Sequence, residues 1–174
     1  MKRLMPIIML LIGAMAFGCA KKKSEQELLN EIQQLEAKED FSGALKLLQE
    51  YVDRFSKSEK TPVMMNKLAM LYGSTEKNFL KAVEIYRQLI KNFPDSPEAI
   101  KAQFMIGYLY ANEIKDLDQA KVEYETFLQK YPDHELASSV KWELEHLGKD
   151  ISEIDIFAKS DGETDGNARG SAKK

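Results

Sequence analysis

The sequence predicts an all-α protein, a solenoid of about three helix-turn-helix repeats followed by a C-terminal capping helix. A sequence pattern that returns every 38 residues and apolar residues at helical spacing within each unit support this fold class. Composition agrees, because Ala, Leu, Glu, Lys and Gln are plentiful and favour helices. Charged residues make up 30% of the chain and apolar residues 44%, which is typical of a soluble helical protein.

The repeat is clearest where the second helix of each unit begins. Residues 40–44, 78–82 and 116–120 each open with Asp or Asn and end with Ala, and each segment starts 38 residues after the last. The same shift connects further positions: Leu48 with Tyr86 and Tyr124, and Phe55 with Phe93 and Tyr131. This regularity indicates three copies of one structural unit.

Capping residues predict where the second helices begin and end. Asp40, Asn78 and Asp116 are N-cap residues, whose side chains accept hydrogen bonds from free backbone N–H groups. Asp116 and Gln119 also have the spacing of a capping box. Proline stops the second and third of these helices, at positions 94 and 132.

Similar signals predict the first helix of each unit and the capping helix. Ser24 with Glu27 forms a capping box, while Thr61-Pro62 and Ser96-Pro97 each combine a cap with proline at the first helical position. The repeat domain is predicted over residues 24–148. Its final helix runs over residues 135–147 without a partner helix, and Gly148 terminates it.

The first residues predict a secretory signal peptide over residues 1–18. A basic start, Lys2-Arg3, precedes an apolar stretch over residues 4–17, which is too short to span a membrane comfortably. Residues 19–23 then form a predicted basic tether that begins with Cys19. Removing Lys2 and Arg3 changes the net charge from −3 to −5, an acidic balance that argues against nucleic-acid binding.

The segment Ala16-Phe17-Gly18-Cys19 resembles the bacterial lipobox. The resemblance implies that Cys19, the single cysteine, is acylated and becomes the anchored N-terminus. Ala20 follows the cysteine, where Asp would signal inner-membrane retention in some bacteria, so the resemblance implies the outer membrane. The alternative is an uncleaved signal anchor with an inert thiol.

The repeat units resemble tetratricopeptide repeats, whose signature is W-x2-L-G-x2-Y…A-x3-F…P. The third unit has Ile106-Gly107-x2-Tyr110, then Ala120-x3-Tyr124 and a proline. The second unit follows the same pattern with Ala69 as the small residue. The first unit is degenerate, because Glu31 replaces the small residue and Ser56 replaces the proline.

The sequence has no motif typical of a catalytic site, so we expect that the protein is not an enzyme. We also expect no cofactor, no metal site and no small-molecule substrate. The two histidines are His134 and His146. Glu143-x2-His146 has the spacing of half a di-iron site, but no second pair completes it. His134 is expected to help cap the last helix, and His146 to lie on its surface.

The resemblance to tetratricopeptide repeats also implies a concave groove lined by the first helix of each pair. Mapped onto this sequence, seven residues face the groove: Asn66, Met70, Phe104, Tyr108, Asn112, Trp142 and His146. We expect the three aromatic residues among them, apart from the histidine, to contact a partner. The alternative is that Trp142 packs against Phe104 and Tyr108 as core. A chaperone's C-terminal carboxylate is not an expected ligand, because the matching positions are mostly apolar.

The C-terminal tail, residues 149–174, loses the helical periodicity and is predicted to be disordered. Within it, Ile151, Ile154, Ile156 and Phe157 are candidates for a short docking segment.

The lipobox-like cysteine, the basic tether and the repeats together resemble BamD, the lipoprotein family of the outer-membrane β-barrel assembly machine, and the repeat protein of the Tol–Pal system. The resemblance implies a scaffold that faces the periplasm, is anchored to the outer membrane by its N-terminal lipid, and binds other envelope proteins. BamD proteins normally have about five repeats, whereas this chain has three and a capping helix, so barrel assembly is only the first of three possible roles. A regulator of Tol–Pal or of a cell-wall enzyme is the second, and a carrier of lipid or another small ligand is the third.

Overall fold

A computed structural model describes residues 22–149, and every regular element in that range is helical. A five-residue π-helical turn, Tyr110–Ile114, continues the fifth helix. The predicted all-α class is therefore confirmed. The seven α-helices are α1 (Glu25–Ala37), α2 (Phe41–Arg54), α3 (Thr61–Ser74), α4 (Phe79–Asn92), α5 (Pro97–Leu109), α6 (Leu117–Lys130) and α7 (Ala137–Glu145).

The helices stack in chain order. Each helix packs mainly against the next one, and α3 also contacts α5, the corresponding first helix of the following unit. Such neighbour-to-neighbour packing is characteristic of a repeat solenoid. The pairs α1–α2, α3–α4 and α5–α6 are thus the three units, and α7 closes the array.

The core is built from the positions that the 38-residue shift connects. Ala44, Ala82 and Ala120 are buried, and so are Leu48, Tyr86 and Tyr124 one turn later. Small residues allow the close helix approach that the sequence predicts. A Cβ at Gly107 would lie 2.6 Å from Cδ1 of Tyr124, so glycine is the residue that fits between α5 and α6.

Most of the predicted helix starts are confirmed. Ser24 and Glu27 form a complete capping box at α1. The side chains of Asp40, Asn78 and Asp116 each accept a hydrogen bond from a backbone N–H three residues later. The capping box predicted for Asp116 and Gln119 is wrong in its second half, because the Asp116 N–H donates to the Tyr110 carbonyl at 2.9 Å.

Two other helix limits differ from the prediction. Thr61 is not an N-cap, because α3 begins at Thr61 and its buried hydroxyl donates to the Phe55 carbonyl in the preceding turn. The helix predicted over residues 135–147 is confined to α7, and His146 is its C-cap residue. Gly148 lies two residues beyond this cap with a φ of 79°, so it turns the chain rather than ending the helix directly.

The turn between the two helices of each unit repeats a backbone feature that composition does not reveal. Glu39, Lys77 and Lys115 all have positive φ, and each directly precedes the N-cap of a second helix. These three residues are 38 positions apart, so the repeat extends to a left-handed backbone conformation held by non-glycine residues.

Candidate protein-binding site

The seven predicted groove residues divide between two cavities and a link between them. Asn66, Met70 and Phe104 line a cavity of about 280 Å³, which we call the central groove. Asn112, Trp142 and His146 line a cavity of about 520 Å³, which we call the terminal cavity. Tyr108 lies on α5 between Phe104 and Asn112 and is 37% exposed.

The central groove lies against α3, α4 and α5 and has an apolar floor. Met70, Tyr86 and Met105 line both this groove and an adjoining cavity of about 300 Å³. Met70 is 54% exposed, so its flexible thioether is available to another molecule. Because they share these residues, the central groove and the adjoining cavity have a continuous apolar floor.

Beneath that surface lies the phenol of Tyr86. Its hydroxyl is buried, and within the described residues it has no hydrogen-bond partner. Burial raises the pKa of Tyr86 to about 12, so the phenol stays protonated at neutral pH. The floor of the groove is uncharged as a result.

Aromatic rings connect the central groove to α6. The Phe104 ring is 6.4 Å from the Tyr108 ring and 6.2 Å from the Tyr124 ring. Phe104 is half-buried and packs with the hydrophobic core around α6 and α7. Phe104 thus combines a packing role with access to the groove, whereas Tyr108 is more exposed.

The terminal cavity has a different construction, because a stacked pair of rings forms its wall. Trp142 is 44% exposed, and its ring lies 4.5 Å from that of His146 with an interplanar angle of 24°. The alternative that Trp142 packs against Phe104 and Tyr108 as core is wrong, since Trp142 is exposed and stacks on His146. Phe104 pairs instead with Tyr108 and Tyr124.

One carboxyl group in the terminal cavity is electrostatically perturbed. Burial raises the pKa of Glu143, and the nearby His146 and Tyr124 oppose that rise. Burial also raises the pKa of the Tyr124 phenol. Lys115 and Lys149 add positive charge at the rim of this cavity.

The histidines have structural contacts. Nδ1 of His134 accepts a hydrogen bond from the N–H of Leu136, the N-cap residue of α7, at 3.1 Å, although α7 has no side-chain cap of its own. His146 is half-buried and stacked on Trp142. Between Lys22 and Lys149 there is no group of three or more His, Cys, Asp or Glu side chains arranged to hold a metal ion.

Several groove residues escape sequence reasoning. Met105, Lys101 and Leu136 line the central groove. Met105 corresponds to Lys67 in the preceding unit, so the repeat pattern gives no reason to expect an apolar groove residue there. Leu136 lies in the turn before α7 although the sequence predicts it within the last helix, and the repeat matches it with a charged residue, Glu98.

The fold and the groove define a class: a helical-repeat protein whose apolar surface suits another polypeptide. The sequence matches the YfiO family, described as an outer membrane lipoprotein, over residues 21–157. This chain belongs to the YfiO family of outer membrane lipoproteins, and the resemblance to BamD-like lipoproteins is thereby confirmed. Its location is accordingly the outer membrane. None of the curated proteins matches the chain.

The predicted lipid anchor is not among the residues that the structure describes. The predicted signal peptide, Cys19 and the tail beyond Lys149 lie outside the described residues. Within the described range, none of the helices has the length and apolar character needed to cross a bilayer.

Proposed function

We propose that this outer membrane lipoprotein is a scaffold that faces the periplasm and holds another envelope protein in its central groove, as part of outer-membrane protein assembly. The observation that carries the proposal is the apolar groove beside the exposed side chains of Met70 and Tyr108. An exposed apolar patch that folding leaves uncovered is typical of a protein-interaction site. Membership of the YfiO family supports a role in the cell envelope.

The groove chemistry favours an apolar segment of a partner. Met70 and Met105 provide flexible walls, which adapt to side chains of different shapes. Phe104 and Tyr108 provide aromatic surface, which commonly contributes much of the binding energy at protein interfaces.

The charges around the groove are balanced. Lys101 and Glu135 line the central groove, and Lys77 and Glu113 line the adjoining cavity. A strongly charged ligand would therefore meet one like charge and one opposite charge in each of the two cavities. The expected occupant is therefore a segment with apolar anchors and little net charge.

Membrane attachment is the second part of the proposal. Cys19 is proposed to carry the lipid, and its position four residues before Lys23 would hold the repeat domain close to the bilayer. Lys23 is already fastened to the fold, because its carbonyl accepts a hydrogen bond from Arg54 and its ammonium pairs with Glu31.

A crosslinked pull-down from intact cells tests both parts together. We expect the full-length protein to recover outer-membrane assembly proteins and a Cys19→Ala variant to lose them. Recovery of Tol–Pal or cell-wall proteins instead would contradict the assembly role and favour the regulator. Equal recovery by both versions would contradict the role of the anchor.

The carrier function remains the weaker alternative. The central groove, at about 280 Å³, is at or below the lower end of the usual size for small-molecule sites, about 300–1,000 Å³. Mass spectrometry of the purified protein tests it directly, and co-purifying lipid at one molecule per chain would favour the carrier over the scaffold.

A further inference from the structure

The end of the solenoid formed by α7 leaves apolar surface uncovered. Trp142 is 44% exposed and Leu117 is 41% exposed, and both line the terminal cavity. α7 has nine residues and buries only Ala137 and Val140. Because terminal elements of repeat arrays usually present a polar outer face, this end requires an additional cover.

The chain leaves the described structure at this cavity. Gly148 and Lys149 line it, and the Lys149 N–H donates to the His146 carbonyl at 3.0 Å. Gly148 has left-handed backbone dihedrals and lies against Leu117, because a Cβ there would be 2.9 Å from Cδ1 of Leu117. The described chain therefore ends at the edge of the cavity, with no linker between the cavity and Lys149.

The sequence that follows has the composition of a cover. Residues 151–157 contain four large apolar side chains, of Ile151, Ile154, Ile156 and Phe157. Glu153 and Asp155 alternate with them, and the next acidic residue is in the polar tail beyond. The match to the YfiO family extends through this segment and ends at residue 157, before that polar tail.

Charge agrees with composition. Two lysines, Lys115 and Lys149, outnumber the one carboxylate, Glu143, among the residues that line the terminal cavity. The segment carries two carboxylates between its apolar residues. Opposite charges at the rim of an apolar contact favour one register of docking over others.

We propose that residues 151–157 of this chain fold back into the terminal cavity and cover Trp142 and Leu117, with Glu153 and Asp155 toward Lys115 and Lys149. The direct attachment at Lys149 gives the segment a high effective concentration, which a second chain or another protein has to exceed. The array thereby closes itself, and partner binding is confined to the central groove.

Fluorescence of Trp142 tests the proposal, because it is the only tryptophan in the chain. The measurement is acrylamide quenching of the full-length protein in detergent. We expect an Ile154→Ser/Phe157→Ser double variant to raise the quenching constant about twofold or more, since it removes the tethered cover. An Asp161→Ser/Glu163→Ser variant in the polar tail is the matched control and should leave the constant unchanged. Equal quenching of the wild type and the double variant would overturn the proposal.

A cysteine pair identifies the occupant independently. In a Cys19→Ala background, Leu117→Cys with Ile154→Cys should form a disulfide within one chain, whereas Leu117→Cys with Ser171→Cys should not. A disulfide requires Cα atoms about 4.4–6.8 Å apart, so it reports direct docking. Disulfide-linked dimers would overturn the proposal in favour of a second copy. A free pair of thiols would leave the cavity to another protein and would equally overturn it. Neither outcome bears on the central groove.

Discussion

At the scale of single residues, close packing and exposure separate structural positions from binding positions. Gly107 is structural, because the Tyr124 ring occupies the space that a side chain would need. Tyr108, its neighbour in sequence, is 37% exposed to solvent. Adjacent residues of α5 thus serve the core and the candidate site.

We expect Gly107→Ala to destabilise the protein by about 1–3 kcal/mol, because the new methyl group would force the buried Tyr124 ring to move. Gly73→Ala in α3 is the matched control. A Cβ there would meet only Cδ1 of Phe79 at 3.9 Å, so this variant should gain stability by about 0.5–1 kcal/mol through better helix propensity. Urea unfolding of both variants measures the difference, and equal stability of the two would contradict the packing argument.

Tyr108→Ala is expected to weaken partner capture by more than about 1 kcal/mol while changing stability little. The reason is that its ring is exposed and contacts Phe104 from the solvent side. Val122→Ala is a control, because Val122 is 51% exposed on α6 and, unlike Tyr108, has no ring beside the groove residue Phe104. Crosslinking yield and thermal melting are measured together. A large drop in melting temperature for Tyr108→Ala would show that Tyr108 belongs to the core.

The sequence predicts the groove residues only in part. Met70, Phe104 and Tyr108 follow from the repeat register, because the 38-residue shift connects Met70 with Tyr108. Asn112, Trp142 and His146 line a separate cavity. The 38-residue shift also connects Phe104 with Trp142 and Tyr108 with His146, so the repeat register gave no reason to separate the two sets.

At the scale of helices, polar contacts fasten neighbouring elements to one another. Arg87 on α4 pairs with Glu123 on α6 at 2.6 Å, and the Gln103 amide on α5 donates to the same carboxylate at 2.8 Å. The Glu123 side chain is 7% exposed, so its charge depends on these partners. One carboxylate thereby connects three helices of two units.

We expect Arg87→Leu to destabilise the protein by about 1–3 kcal/mol, because the buried Glu123 carboxylate would keep only the Gln103 amide. Lys121→Leu is the control, since the Lys121–Glu125 pair is 3.9 Å long and both side chains are exposed. Its effect should stay within about 0.5 kcal/mol. Chemical denaturation compares the two, and equal losses would contradict the role of burial.

A second polar cluster fastens α1. The Glu25 carboxylate accepts hydrogen bonds from the Ser58 hydroxyl at 2.5 Å and from the Tyr51 phenol at 2.6 Å. These bonds lower the pKa of Glu25 from its ordinary value of 4.5. Ser58 lies in the turn before α3, so the cluster connects the first helix with the start of the second unit.

The docking of α1 should therefore weaken in acid. Because the pKa of Glu25 is lower in the folded state, its contribution is present above the unfolded pKa and is lost as the pH falls through the folded pKa. We expect the protection factors of α1 amides, which are corrected for the pH dependence of intrinsic exchange, to fall below about pH 4 relative to pH 6. Glu25→Gln should reduce this pH dependence, and Glu59→Gln, in the nearby turn, should preserve it. An unchanged acid response in Glu25→Gln would assign the effect to other groups.

Helix starts and ends show how far local sequence determines the elements. Side-chain caps at Ser24, Asp40, Asn78 and Asp116 are local interactions, and the sequence predicts all four. Thr61 differs because its hydroxyl bonds to the Phe55 carbonyl, a contact that depends on how the turn between units folds. The prediction was wrong where the competing partner lay in the preceding turn rather than in the helix itself.

At the scale of the whole molecule, each helix is stabilised mainly by contacts with the helices next to it in the array. Helices contact the next in the chain, and α3 also contacts α5, the first helix of the following unit. Two hydrophobic clusters result, one from α1 to α5 and one around α6 and α7. The fold class was predictable because a repeat needs no long-range information, whereas the cavities were not, since they form between units.

We expect amides in α3 to α5 to exchange most slowly with solvent and those in α7 and α1 to exchange fastest. Terminal elements of a linear array have one neighbour and can open without disrupting the rest. Hydrogen exchange followed by mass spectrometry measures this gradient at neutral pH. Uniform protection along the array would contradict it and indicate a single cooperative unit.

The hydrogen bond from Arg54 to the Lys23 carbonyl limits how far the first repeat unit can lie from a membrane. If Cys19 carries the lipid, only three residues lie between it and Lys23, whose carbonyl is held by Arg54 on α2. An extended chain reaches about 3.5 Å per residue, so the distance from Cys19 to Lys23 is about 14 Å at most. The first unit would then lie near the headgroups, and the central groove would follow one unit further along the array.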